Sequence, residues 1–123
     1  VTKGTAITEK EIVEIIKKCA LTLDSKKGID IVVMDLRDVN SYLDYFIIAT
    51  GNSRIHCRSM AREVEKFIHD QGLRSRNRPD YDSGWIILDF NELIVHIFTQ
   101  EMREYYQLEK LWGDAKKIQF AAR

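Results

Sequence analysis

The sequence predicts an α/β fold, a mixed sheet of four to five strands with three helices, for most of this 123-residue chain. Three observations predict it. Segments with apolar residues at helical spacing alternate with short runs dense in β-branched and aromatic residues, in the order helix, strand, strand, helix, hairpin, helix. Two of those runs are apolar on both alternate sets of positions, as strands buried on both faces are. With 45% hydrophobic residues, the chain is long enough to bury one core without disulfide or metal staples.

Thr8 and Glu11 make a capping box that opens the first helix. Ile12, Ile15, Ile16, Cys19, Ala20 and Leu23 follow at helical spacing until Lys26, Lys27 and Gly28 close it. Residues 29–36 and 45–50 are the two apolar runs, both expected inside the sheet. Gly51, Asn52 and Ser53 turn the chain into a second helix, whose buried stripe is Cys57, Met60, Ala61, Val64, Phe67 and Ile68 and which Gly72 ends. Strand, tight turn and helix in that order suggest a crossover connection.

Residues 73–83 hold Arg74, Arg76, Arg78 and the one proline, Pro79, and read as an exposed loop with at most a short edge strand. Residues 85–90 and 93–99 are two strands separated by Asn91 and Glu92, the length of a two-residue hairpin turn. A last helix carries Met102, Tyr105, Tyr106, Glu109 and Trp112 along one side, and Gly113 stops it. The expected organisation is a single domain over residues 7–113, with residues 114–123 a polar and partly disordered tail.

Composition excludes several classes of function. Lysine plus arginine and aspartate plus glutamate both number 19, so any contact with a polyanion must be local. Cys19 and Cys57 lie in helical patterns without a CxxC spacing or nearby histidine, which points to reduced, buried thiols and to no metal site. No run approaches the roughly 20 apolar residues that a membrane span needs, and no signal for export is visible. A soluble, cytoplasmic protein is expected.

The hairpin supplies the candidate site. Side chains alternate between the faces of a strand, and a two-residue turn pairs Phe90 with Leu93, Asp89 with Ile94, Ile87 with His96 and Trp85 with Phe98. One face is then wholly apolar: Ile86, Leu88, Phe90, Leu93, Val95 and Ile97. The other sets Trp85, Ile87, Ile94 and Phe98 beside Asp89 and His96. A tryptophan anchor near a carboxylate and an imidazole is a composition favoured at interface hot spots. Three helices can cover one face of such a sheet well and not both, so this face is a candidate partner surface. The competing reading is that a helix covers it and that Asp89 and His96 are satisfied internally.

Three stretches, DYFIIATGNS (residues 44–53), GWIILDFNELIVHIF (84–98) and EMREYYQLEKLWGDA (101–115), closely resemble the Iojap family, also called ribosomal silencing factors. The resemblance runs from about Ile12 to Ala115. It implies a nucleotidyltransferase-like topology with no catalysis, no cofactor and no small-molecule substrate. It further implies docking through large-subunit ribosomal protein L-fourteen on the intersubunit face of the large subunit. The small subunit is then kept off sterically, and a part in large-subunit maturation is also implied. The tryptophan that opens the hairpin, here Trp85, is implied as a partner contact, and Asp44 matches a family motif. Tyr105, Tyr106 and Trp112 exceed the needs of one buried stripe; core packing is the ordinary reading, and sealing of a homodimer is the alternative that the resemblance suggests. Nothing in residues 77–83 or after Ala115 carries the resemblance.

Two other chemistries compete. A magnesium-dependent nucleotidyltransferase would use the Gly51–Asn52–Ser53 turn for phosphates and carboxylates for the metal. Glu63 and Glu65 stand about 200° apart around their helix, and Asp80 and Asp82 sit in a proline-containing loop. Direct RNA contact through Arg74, Arg76 and Arg78 is the other, against the plainer reading of a charged edge that discourages unwanted pairing. A minor contact with rRNA is compatible with docking on a protein.

Overall fold

The computed structural model describes residues 8–121, so residue 7 of the expected domain and the last two residues of the expected tail lie outside it. Helix α1, Glu9–Ser25, opens on the predicted box: Thr8 accepts from the Glu11 amide while the Glu11 carboxylate accepts from the Thr8 amide. Strands β1 (Ile29–Asp35) and β2 (Tyr45–Gly51) follow, then helix α2, Arg54–Asp70, capped by Ser53. The hairpin strands are β3, Trp85–Asp89, and β4, Leu93–Thr99. Helices α3, Gln100–Tyr106, and α4, Leu108–Leu111, lead to a two-residue strand β5, Lys116–Lys117.

The five strands lie in the order β3-β4-β2-β1-β5. Only β2 and β4 run parallel, in register from Tyr45↔Leu93 to Gly51↔Thr99. A parallel pair cannot be closed by a tight turn. Helix α2 and strand β3 make the return, which is the crossover that the strand–turn–helix pattern suggested. Every residue of β2 is buried.

Helices α1 and α2 pack on one face of the sheet, where Ile16, Leu23, Met60 and Val64 meet Ile47, Ala49, Leu88, Val95 and Ile97. Cys19 and Cys57 are free thiols buried in this core, and burial pushes the Cys19 thiol up to about 12. A second core on the opposite face gathers Met34, Phe46, Ile48 and Phe98 beneath Met102, Leu108 and Trp112.

Three expectations are corrected. The third helix is not continuous: Gln107 takes a left-handed conformation (φ 48°, ψ 47°) and divides α3 from α4. An unbroken helix would carry Trp112 about 18 Å along its axis from Gln100. The break instead turns the chain back, so that Trp112 meets Phe46 edge-on with ring centroids 6.5 Å apart. Arg103 secures the fold-back by donating to Thr50 at 2.8 Å and to Glu109 at 2.9 Å. The segment after Gly113 is placed through Ala121 and is not a disordered tail there: Lys116 and Lys117 pair with Asp35 and Met34, and Ile118 and Phe120 pack on the first core. Strand β1 is only partly interior, because β5 spans two residues and Ile29 is left 37% exposed.

The arginine loop forms as a loop, as expected, and contains no strand. It still closes the outer edge of β3. The Asn77 side chain donates to the Ile87 carbonyl at 2.8 Å and accepts from the Asp89 amide at 3.0 Å, while the Arg76 amide donates to the Asp89 carbonyl at 2.7 Å. A side-chain amide thus takes the place that a neighbouring strand would fill.

Gly51 closes β2 directly beneath α2, and a Cβ there would stand 2.7 Å from Cys57 Sγ and 3.0 Å from Met60 Cε. Gly51→Ala is expected to cost about 1–3 kcal/mol of stability through overpacking, measured by urea denaturation. Cys57→Ala in the same chain should recover part of that loss; simple addition of the two costs would place the strain elsewhere.

Candidate docking surface

The hairpin forms in the register expected of a two-residue turn: Trp85↔Phe98, Ile87↔His96 and Asp89↔Ile94. The turn is held at both ends. Asn91 takes φ 78°, the Phe90 amide donates to the Leu93 carbonyl at 2.8 Å, and the Asp89 carboxylate accepts from the Asn91 amide at 2.9 Å. Trp85, Ile87 and Asp89 accordingly share the face opposite α1 and α2.

Helix α3 begins on the residue after β4, capped by Thr99, and folds back over the start of β3. Gly84 admits it: a Cβ there would lie 2.9 Å from Met102 Cγ. The Trp85 indole is left half-buried between two rings, stacked on Phe98 at 4.9 Å and against Tyr106 at 4.6 Å. Its Nε1–H donates to His96 Nδ1 at 3.0 Å. His96 is itself buried, with the Phe46 ring edge-on at 4.5 Å, and its Nε2 has no hydrogen-bond partner among the described residues. Burial pushes the imidazole down to about 4, so the ring is neutral near pH 7.

The predicted site residues therefore divide. Trp85 and Asp89 are half-buried, and Ile87 is 36% exposed. His96 and Phe98 are buried and cannot meet a partner directly; they support Trp85 from beneath. Asp44 is half-buried at the other end of the sheet, where its carbonyl accepts from the Leu36 amide at 2.8 Å. Trp85 stands beside Phe98 and Thr50, six residues along β2 from Asp44, which is about 20 Å. Trp112 belongs to the second core, whereas Tyr105 is 76% and Tyr106 47% exposed. Trp85, Ile87, Tyr105 and Tyr106 are thus brought together on one side. The place of Tyr106 against Trp85 was not legible in the sequence, since it depends on the direction in which α3 leaves β4 at Thr99.

The comparisons with known proteins agree with this architecture. A family described as "Ribosomal silencing factor during starvation" matches residues 9–123. The chain belongs to the ribosomal silencing factor family. It is 35% identical over 102 residues to the ribosomal silencing factor of Bacillus subtilis, covering 82% of this chain and 86% of that one. It is 34% identical over 90 residues to a mouse protein named "Mitochondrial assembly of ribosomal large subunit protein 1", covering 68% of this chain and 38% of that one. A crystal structure of a Chromobacterium violaceum protein superposes with a TM-score of 0.79 at 31% identity, covering 92% of this chain and 94% of that one.

In this member of the silencing factor family, five of the residues considered for nucleotidyl transfer are engaged elsewhere. Ser53 caps α2, the Asn52 amide donates to His56 Nδ1 at 2.8 Å, and Gly51 abuts Cys57. Asp82 pairs with Arg58 at 2.9 Å, and Glu65 accepts from the Tyr81 hydroxyl. Among the described residues, no three His, Cys, Asp or Glu side chains are grouped to hold a metal ion, and no helix is long and apolar enough to cross a membrane.

The buried imidazole makes stability depend on pH. An unfolded histidine takes up a proton near its ordinary 6.5, whereas folded His96 does so only at about 4. The contribution of the neutral ring is therefore complete above pH 6.5 and is lost as the pH falls toward 4, a total of about 3 kcal/mol. Urea midpoints measured from pH 7.5 to pH 4 should fall more steeply for the native protein than for His96→Asn, which has no proton to gain. Parallel curves would show that the ring is not neutral by burial.

Proposed function

We propose that this chain is a non-enzymatic translation repressor that docks on the intersubunit face of the large ribosomal subunit and sterically blocks joining of the small subunit. The observation that carries the reading is the half-open aromatic face around Trp85. An anchoring indole, the exposed aliphatic Ile87 and the carboxylate of Asp89 lie on a rigid hairpin, with Tyr106 at the margin. That combination of a large apolar anchor with a polar rim is what interface hot spots use. The names of the Bacillus subtilis and mouse relatives support a ribosomal partner and, for the mouse protein, a large-subunit one. The protein contacted is large-subunit ribosomal protein L-fourteen, on the strength of the family resemblance, and a part in large-subunit maturation is compatible with the same contact. The protein works in the cytoplasm without cofactor, metal, membrane or small-molecule substrate.

Free protein forms a homodimer through the same side of the molecule, where Tyr105 and Tyr106 meet edge-on at 5.0 Å beside Trp85. Trp112 is left to the second core. A minor rRNA contact is assigned to the flank of α2, where Arg54, Arg58, Arg62 and Lys66 follow one another every four residues, a rise of about 6 Å per step. Arg74, Arg76 and Arg78 are exposed in the loop that follows.

Co-sedimentation with purified large subunits, small subunits and joined ribosomes tests the proposal, with retention expected on free large subunits. Ile87→Asp should abolish docking with a smaller fall in the thermal midpoint than Ile86→Ala, since Ile87 is 36% exposed and Ile86 is wholly buried. Trp85→Ala should abolish docking with a moderate loss of stability, because an interface tryptophan carries about 2 kcal/mol or more of binding. Ile86→Ala, wholly buried on the other face, should lower the midpoint and leave docking intact. Normal docking by both Ile87→Asp and Trp85→Ala would refute the assignment. Asp89→Lys is a less selective probe, since Asp89 also ties the hairpin turn.

For the rRNA contact, exchanging Arg58, Arg62 and Lys66 together for glutamine should flatten the dependence of log affinity on log salt by about two to three without abolishing docking. An unchanged slope would remove RNA from this flank.

A further inference from the structure

We propose that His96 is the positioning residue of the docking surface, its Nδ1 lone pair fixing the orientation in which the Trp85 indole meets a partner. The inference rests on the reading that Trp85 docks, and goes beyond it by naming what sets the indole. The stack alone does not. Phe98 and Tyr106 fix the plane of the ring, but an indole turned over within that plane keeps its ring contacts. The bond from Trp85 Nε1 to His96 Nδ1, at 3.0 Å, distinguishes the two orientations, because only one of them brings the N–H to an acceptor. It points the nitrogen edge of the indole toward the protein and leaves the opposite edge to be read from outside.

The identity of residue 96 is otherwise unexplained. Its ring sits in a core built from Phe46, Ile48, Phe98 and other uncharged side chains, where an aliphatic or aromatic residue would pack without polar cost. Nε2 has no partner among the described residues, so the site bears a buried polar atom that it does not satisfy. Accepting at Nδ1 requires the neutral tautomer protonated at Nε2. The unsatisfied nitrogen is thus a consequence of keeping a lone pair at the one atom that faces Trp85. The bond runs diagonally between neighbouring strands, from Trp85, which pairs with Phe98, to His96, which pairs with Ile87, so the hairpin register fixes the separation of its two ends.

Two substitutions separate this role from simple packing. His96→Asn places an amide oxygen close to the position of Nδ1, whereas His96→Gln carries its amide one bond farther, close to Nε2. Docking is measured by co-sedimentation with purified large subunits. The Trp85 indole N–H is followed as a nitrogen-15 resonance, identified by its loss in Trp85→Phe. His96→Asn should keep the indole N–H protected from solvent exchange and dock within about threefold of the native affinity, while His96→Gln loses protection and docks about tenfold or more weakly, the value of one hydrogen bond. His96→Phe, which retains ring volume without an acceptor, should follow His96→Gln. Equal docking by His96→Asn and His96→Gln, or native docking by His96→Phe, overturns the positioning role even where Trp85→Ala abolishes binding. Native docking by both Trp85→Ala and Ile87→Asp would instead overturn the docking reading itself.

Discussion

The parallel pairing of β2 with β4 is the constraint from which the rest of the molecule follows. Seven consecutive residues of β2 are buried, so the strand must be flanked on both edges and covered on both faces. A parallel neighbour can be reached only by a crossover, which commits α2 to the face already occupied by α1. The opposite face is left to whatever chain follows β4. That chain is short: it covers the β1 and β2 portion and reaches β3 only at its start, where Met102 and Tyr106 meet Gly84 and Trp85 and Ile87 is left exposed. An open patch at the β3 end is therefore a consequence of topology before it is a matter of residue type.

The two cores differ in chemical character in a way that suits this division. The first is mainly aliphatic, with two cysteines and aromatic rings such as Tyr45 and Phe90 among its members, and most of its packing supplies stability without directional demands. The second mixes aromatic rings with a histidine, and Arg103 beside it, with its side chain 11% exposed, is tied to Thr50 and Glu109. Its interactions are directional, and they hold α3 and α4 at a defined angle over the sheet. The aromatic side chains that reach solvent stand on this second core, so its geometry decides what an approaching surface meets.

Much of this was legible in the sequence. The hairpin register could be read from two residues, Asn91 and Glu92, because a turn of that length leaves only one pairing, and Trp85 was correctly placed opposite the Ile86 face. The capping box at Thr8 and the buried stripe of α2 were equally local signals. What could not be read depended on contacts distant in sequence. The left-handed turn at Gln107 has no glycine or asparagine to announce it; it is held by Arg103 reaching Thr50, 53 residues away. Lys116 and Lys117 form a strand only because the edge of β1 is there to pair with, and the alternation of Ile118 with Phe120 was too brief to stand out in a polar segment. Burial of His96 and Phe98 follows from the rings of Phe46 and Trp85 that pack on them. The pattern identified the face but not the depth of each side chain in it.

The loop that lies along β3 bears on how another molecule can approach. With the Ile87 and Asp89 carbonyls and the Asp89 amide already bound by Arg76 and Asn77, the outermost strand has little left to offer an extended peptide seeking to lengthen the sheet. Edge-on pairing is disfavoured, and on the proposed docking reading a visitor comes down onto the aromatic face from above. Recognition from that direction reads the contour of side chains and is indifferent to main-chain hydrogen bonding. It therefore favours a partner that is already folded over one that must unwind a strand to bind.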